Sequence, residues 1–214
     1  MSDFDPYNIA ILLLMAVALG LASYRLRTLP KSLRYFWALL LFTLLAESLA
    51  FYARVVYHNN LLVYNTFWPL AYALTTLGYA EELRSPWLKR SLIFYGIFYV
   101  VNVLWWQPFR SVGGTNSLVL SLLLTSAWAL WYFQRLLQQP HSVFQYRLFW
   151  ISSGILLFNA TCLPLQALHN SLGEDLRMHY WFNRVGFLAN MAMYTCLALA
   201  YVGKQERLPL QRRV

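Results

Sequence analysis

Apolar residues in this chain come in blocks longer than a globular core requires. Seven runs stand out, at approximately 7–24, 35–57, 61–80, 91–106, 117–136, 149–168 and 181–202, separated by short polar stretches. About 20 apolar residues at about 1.5 Å of rise each cover the ~30 Å hydrocarbon layer of a bilayer, so the pattern predicts seven transmembrane helices. The fourth run is the shortest. Helix breakers fall between runs, at Pro30, Pro86, Pro108 with Gly113 and Gly114, Pro140 and Gly173. Tyrosine and tryptophan gather at run ends, as at Tyr57, Trp87, Trp105, Trp106, Trp131, Tyr132 and Trp181, where an amphipathic ring sits at headgroup level. The expected fold is an all-α membrane protein, one seven-helix bundle over 1–214 with a short basic tail at 203–214. The connections leave no room for a separate soluble domain. The opening Met-Ser-Asp-Phe-Asp-Pro has none of the marks of a cleaved leader, so the first helix is expected to be retained.

Composition agrees: 59% of the 214 residues are hydrophobic and 12% charged, about half the charge of an average soluble domain. The net charge of +9 would point to nucleic acid in a soluble protein. Here the basic residues lie between apolar runs and set orientation instead, so no nucleic-acid partner is expected. Of 17 Lys and Arg, 13 fall on the side reached after runs one, three, five and seven, and Arg54, Arg110, Arg177 and Arg184 fall toward the opposite side. The basic side stays in the cytoplasm. This places the N-terminus outside and the C-terminus inside, in what is expected to be a bacterial inner membrane. Cys162 and Cys196 differ in expected depth by about 13 Å, too far for a disulfide.

Laid over itself at a spacing near 110 residues, the chain matches runs one to three with runs five to seven. Asn8 then meets Asn116, Pro30 meets Pro140, and His58 with Asn59 meets His169 with Asn170. This pattern describes a three-plus-one-plus-three parallel repeat, with halves 7–80 and 116–202 and a connector helix at 91–106. Shared membrane composition produces the same matches without a repeat, and both readings remain open on sequence.

An ionised side chain in hydrocarbon costs several kcal/mol unless it faces protein or water, so polar residues within the runs mark interior faces. Glu47 is the sole carboxylate inside a run, and Arg54 and His58 follow it seven and eleven residues later on one helical face. The last run carries His179, Asn183, Asn190 and Tyr194 at helical spacing, with Arg184 beside them. The third carries Asn65, Trp68, Tyr72 and Thr76, interrupted by Pro69. Counting from run ends puts Asn102, Asn159 and Asn190 near the midplane and Glu47 slightly outward. Arg54, His58, Asn65, Gln166, His169, His179, Asn183 and Arg184 fall in the outer half. The candidate ligand-binding set is therefore Glu47, Arg54, His58, Asn65, Asn102, Asn159, His179, Asn183, Arg184 and Asn190, in a cavity that opens outward. Asparagines also fasten membrane helices together with no ligand. Pro69 and Pro164 are expected as kinks.

Several classes of function are disfavoured. Retinal needs a buried lysine for its Schiff base, and Lys31, Lys89 and Lys204 all fall on the expected cytoplasmic side. The histidines lack the paired spacing of a metal or haem site, so no cofactor is expected. No phosphate loop, His-Glu-x-x-His pair or Gly-x-Ser-x-Gly elbow occurs, and the chain is not expected to be an enzyme. Seven helices with the N-terminus outside resemble the rhodopsin topology. The three-plus-one-plus-three order resembles the SWEET sugar transporters and the PnuC vitamin transporters, without the kinking prolines of the former. Short loops, aromatic helices and an outward polar pocket resemble the bacterial seven-helix sensor modules that precede histidine kinases. The outward bias of the polar interior residues, with a tail too short to signal alone, points to a receptor or sensor component that binds a small polar or anionic ligand, its negative groups attracted by Arg54 and Arg184, and signals through a separate membrane or cytoplasmic partner. The alternatives are a small-solute transporter with a midplane site and a structural subunit of a membrane complex.

Overall fold

A computed structural model describes residues 6–109, 114–139, 142–169 and 176–202, with side chains described from residue 9 onward except at 167–169, 176–180, 182 and 183. Among the described residues the chain is helical throughout, with no strand. The helices are α1 (Pro6–Tyr24), α2 (Lys31–Tyr57), α3 (Leu61–Leu83), α4 (Pro86–Val101), α5 (Thr115–Leu136), α6 (Arg147–His169) and α7 (Leu176–Val202). A π-helical turn, Asn102–Trp106, continues α4. Five of these helical segments are long and apolar enough to cross a membrane: Lys31–Tyr57, Pro86–Trp106, Thr115–Leu136, Arg147–Gln166 and Arg184–Val202. Their outward faces are apolar. On α4, for example, Ile93, Ile97, Val100 and Leu104 recur at helical spacing and all are exposed. Water would not tolerate such a surface, and lipid does. This is the surface of an integral membrane protein in contact with a bilayer.

Pro30 precedes the first residue of α2 and Pro86 opens α4, positions at which proline's missing N–H costs nothing. Helices α2 and α3 end on left-handed residues that are not glycine, His58 at φ 53° and Arg84 at φ 50°. Each turns its amide back to a carbonyl four residues earlier, Arg54 and Ala80 respectively.

The helices form a ring in the order α1, α2, α3, α5, α6, α7, with α7 closing onto α1. Helix α4 lies outside the ring against α3 and α5. Helix α3 is thus covered by three neighbours, which accounts for its composition. It buries Asn65, Thr75 and Thr76 and is not apolar enough to count among the five spanning segments.

One end of the bundle carries Lys31, Lys89 and Glu81 and is called the basic end below. There the Glu81 carboxylate receives Lys31 Nζ at 3.2 Å and Lys89 Nζ at 3.1 Å, and Ser32 Oγ donates to Glu82 at 2.8 Å. These contacts tie the start of α2, the end of α3 and the start of α4. Just beneath lies a dry aromatic layer in which Phe36, Tyr79, Tyr132, Tyr146 and Tyr201 are all fully buried. Phe36 meets Tyr79 edge-on at 5.5 Å, over Gly78, whose missing side chain lets the ring approach the helix. Two hydrogen bonds cross the ring within this layer. Tyr79 pairs with Ser152 of α6 at 2.9 Å, and Tyr201 of α7 donates to the Leu33 carbonyl of α2 at 3.3 Å.

Candidate functional site

Above the aromatic layer the ring is hollow. A central cavity of about 520 Å³ is lined by α2, α3, α5, α6 and α7. A second, of about 220 Å³, lies between α1, α2, the start of α3 and α7, and reaches the end opposite the basic one at Asn60 and the exposed Arg54. Glu47, Tyr64 and Asn190 line both cavities. They form the neck between them.

Tyr64 donates its hydroxyl to Glu47 Oε2 at 3.0 Å. The other carboxylate oxygen, Oε1, has no hydrogen bond from a described residue. Tyr64 is stacked on Trp68 with ring centres 6.2 Å apart, so one wall of the neck is an aromatic face running into the central cavity. Across the cavity, Asn159 is buried and its Nδ2 donates to α5, at the Leu122 carbonyl (3.0 Å), Thr125 Oγ1 (2.9 Å) and Ser126 Oγ (3.0 Å). The backbone carbonyl among these partners fixes which amide atom is the nitrogen. Asn159 Oδ1 then has no partner among the described residues and is available to an occupant of the cavity. Asn190 Nδ2 donates to the Gly186 carbonyl at 3.0 Å.

Of the residues singled out from sequence, Glu47, Asn159 and Asn190 are brought to the central cavity, and Glu47, Arg54 and Asn190 to the outer one. Glu47 of α2 and Asn190 of α7 therefore look into shared cavities rather than toward lipid. Arg54 is exposed and lies over the Phe51 ring at 5.8 Å. His58 is exposed and ends α2, lining neither cavity. Arg184, half-buried, lines neither. The side chains of His169, His179 and Asn183 lie outside the described residues.

Asn65 and Asn102 have a different task. Asn65 holds the α4–α5 connection, donating to the Phe109 carbonyl at 2.7 Å and accepting from the Gly114 amide at 2.9 Å. Asn102 lies in the π turn of the peripheral α4, away from the ring interior, and bonds Gln107 and Asn116, each at 3.1 Å. The depth count put Asn102 near the midplane; the helix ends only four residues later, so it belongs to the end opposite the basic one. Both are helix-end fasteners.

No family model, curated protein or solved structure matches the chain. Tyr64 escaped the sequence reading because aromatic residues near run ends read as headgroup anchors. Its spacing of four from Trp68 and eight from Tyr72, all on one face of α3, is the signal that places it inside. Both cysteines are free, and Cys162 lines the central cavity.

Proposed function

We propose that the chain is a non-enzymatic membrane receptor component, crossing a bacterial inner membrane seven times with its N-terminus outside. It takes a small solute from the outer side into the cavity below Glu47. The observation that carries this reading is the neck itself: a lone membrane-embedded carboxylate joins an outer cavity to a larger interior one, above a closed aromatic layer. The positions of Lys31, Lys89 and Glu81 support assigning the basic end to the cytoplasm.

Two helices couple the site to that end. Helix α3 carries Tyr64 at the neck, Trp68 on the central cavity, Pro69, and then Tyr79 in the α3–α6 bond. Helix α7 carries Asn190 and Tyr194 at the cavity, and then Tyr201 in the α7–α2 bond. An occupant that shifts either helix strains a diagonal contact at the cytoplasmic face, where a partner reads it. A small-solute transporter is the second reading. What favours it is that, with α4 set aside, the ring maps onto itself when α1–α3 is laid on α5–α7, and the α3–α6 bond then corresponds to the α7–α2 bond.

Solute uptake separates the two. The full chain in liposomes binds solutes that protect Cys162 from thiol reagents, and as a receptor it accumulates none of them above empty vesicles. Uptake that is abolished by Glu47→Gln transfers the function to transport. A Cys162 that stays inert to a small water-soluble thiol reagent added from outside refutes an outward-open site altogether.

A further inference from the structure

The central cavity has a charge character that restricts its occupant. Glu47 is the one carboxyl among the described residues of its wall, and none of those residues is Lys, Arg or His. Arg54 and Arg184, which motivated the expectation of an anionic ligand, both lie elsewhere: Arg54 lines only the outer cavity and is solvent-exposed, and Arg184 lines neither. An anion in this space would sit beside the Glu47 carboxyl with no cation on the described cavity wall, Arg54 acting on Glu47 only from the adjoining cavity, an unfavourable placement. A cation would be matched by the unoccupied Oε1 of Glu47, by the free Oδ1 of Asn159, and by the ring faces of Tyr64 and Trp68.

A bare metal ion does not suit the site. Among the described residues no three His, Cys, Asp or Glu side chains come together, and about 520 Å³ is the volume of a small-molecule pocket rather than of an ion cage. The walls are largely aromatic and aliphatic, with Phe67, Tyr72, Phe158 and Leu122 among their residues. They offer a dry surface to an apolar body.

We infer that the central cavity takes a small organic cation, an amine carried on an aromatic or apolar body, with its ammonium group at Glu47, its body against the rings of α3, and Asn159 Oδ1 on the far wall as a further acceptor. This inference rests on the reading of that cavity as the ligand site. Arg54 at the outer cavity repels such a ligand only weakly, because its charge is screened by solvent.

Three probes sharing an indole body isolate the charge: tryptamine, the neutral alcohol tryptophol, and indole-3-acetate. The full chain carrying Cys196→Ser, reconstituted in lipid nanodiscs, leaves Cys162 as the reporter, and the rate of its modification by a small methanethiosulfonate reagent is measured against probe concentration. Tryptamine is expected to protect Cys162 at concentrations at least about tenfold below the other two. Glu47→Gln removes that advantage, and Glu47→Asp, which keeps the charge, retains part of it. Equal or better protection by the acid or the alcohol overturns the cation while leaving the site reading intact. A reactive Cys162 that none of the three probes protects overturns the cation inference as well. A Cys162 that does not react even without probe overturns the site reading itself.

Discussion

Gly78 is where the packing of this bundle can be tested most sharply. A Cβ built on it would stand 2.5 Å and 2.8 Å from two ring carbons of Phe36, about 1 Å inside ordinary carbon contact. The ring has nowhere to go: Phe36 is fully buried and its other side is set against Tyr79. Gly78→Ala therefore overpacks the aromatic layer, which costs about 1–3 kcal/mol. The same change at Gly96 in α4 meets nothing within 4 Å, so there only the better helix propensity of alanine remains, a gain of up to about 1 kcal/mol. Two identical substitutions in two helices should thus differ in sign. Reversible unfolding of the purified full chain in mixed micelles, titrated with SDS and followed by tryptophan fluorescence, measures both. Phe36→Leu added to Gly78→Ala should recover stability beyond additivity, with a coupling of about 1 kcal/mol. If Gly78→Ala proves as stable as Gly96→Ala, the close approach of α2 to α3 described above is wrong.

Three further outcomes are expected. Asn159→Leu, which removes the donor to Leu122, Thr125 and Ser126, should cost about 1 kcal/mol in the same unfolding assay and loosen α5 from α6, seen as faster amide exchange at the middle of α5. Tyr79→Phe and Tyr201→Phe should each cost about 0.6 kcal/mol, as single hydrogen bonds in membrane bundles do, while raising the labelling rate of a cysteine placed at the buried Ala129 in a background with Cys162 and Cys196 replaced by serine; unchanged labelling in the double variant would show that these bonds do not hold the basic end shut. At the basic end, hydrogen bonding from Lys89, with Lys31 adding to it, holds the Glu81 carboxyl below the ordinary carboxylate range. Because its folded value lies below its unfolded one, its contribution is complete above pH of about 5, where the unfolded carboxyl is ionised, and is lost as pH falls through the folded value; Glu81→Gln should flatten that acid limb of a stability–pH curve.

Helix positions were legible in the sequence because a bilayer imposes one rule on every segment. All seven apolar runs fall within helices, and the fourth only begins later than α4 does, since Pro86 and Trp87 open that helix ahead of the run. Glu47, Asn159 and Asn190 were legible as interior for the same reason. What composition could not reveal was who their neighbours are. Asn65 and Asn102 look like Asn159 in the sequence, yet they fasten a connection, because their acceptors and donors are backbone groups and side chains at the end of α4 and the start of α5. Tyr64 looks like an anchor and instead holds the carboxylate. In each case the deciding contact is made between elements, which a one-dimensional pattern does not record.

The polarity of α3 also has a consequence for biogenesis. A segment this rich in polar groups, broken by Pro69 and ending in Glu81 and Glu82, partitions poorly from the translocon into lipid by itself. It becomes acceptable to the membrane only once α2 shields it on one side and α4 and α5 on the others. With seven crossings as proposed, insertion of this chain is expected to be cooperative. A chain truncated after α3 should leave that segment slipping back toward water, as glycosylation sites engineered on either side of it would report, whereas extension through α5 should lock it in place.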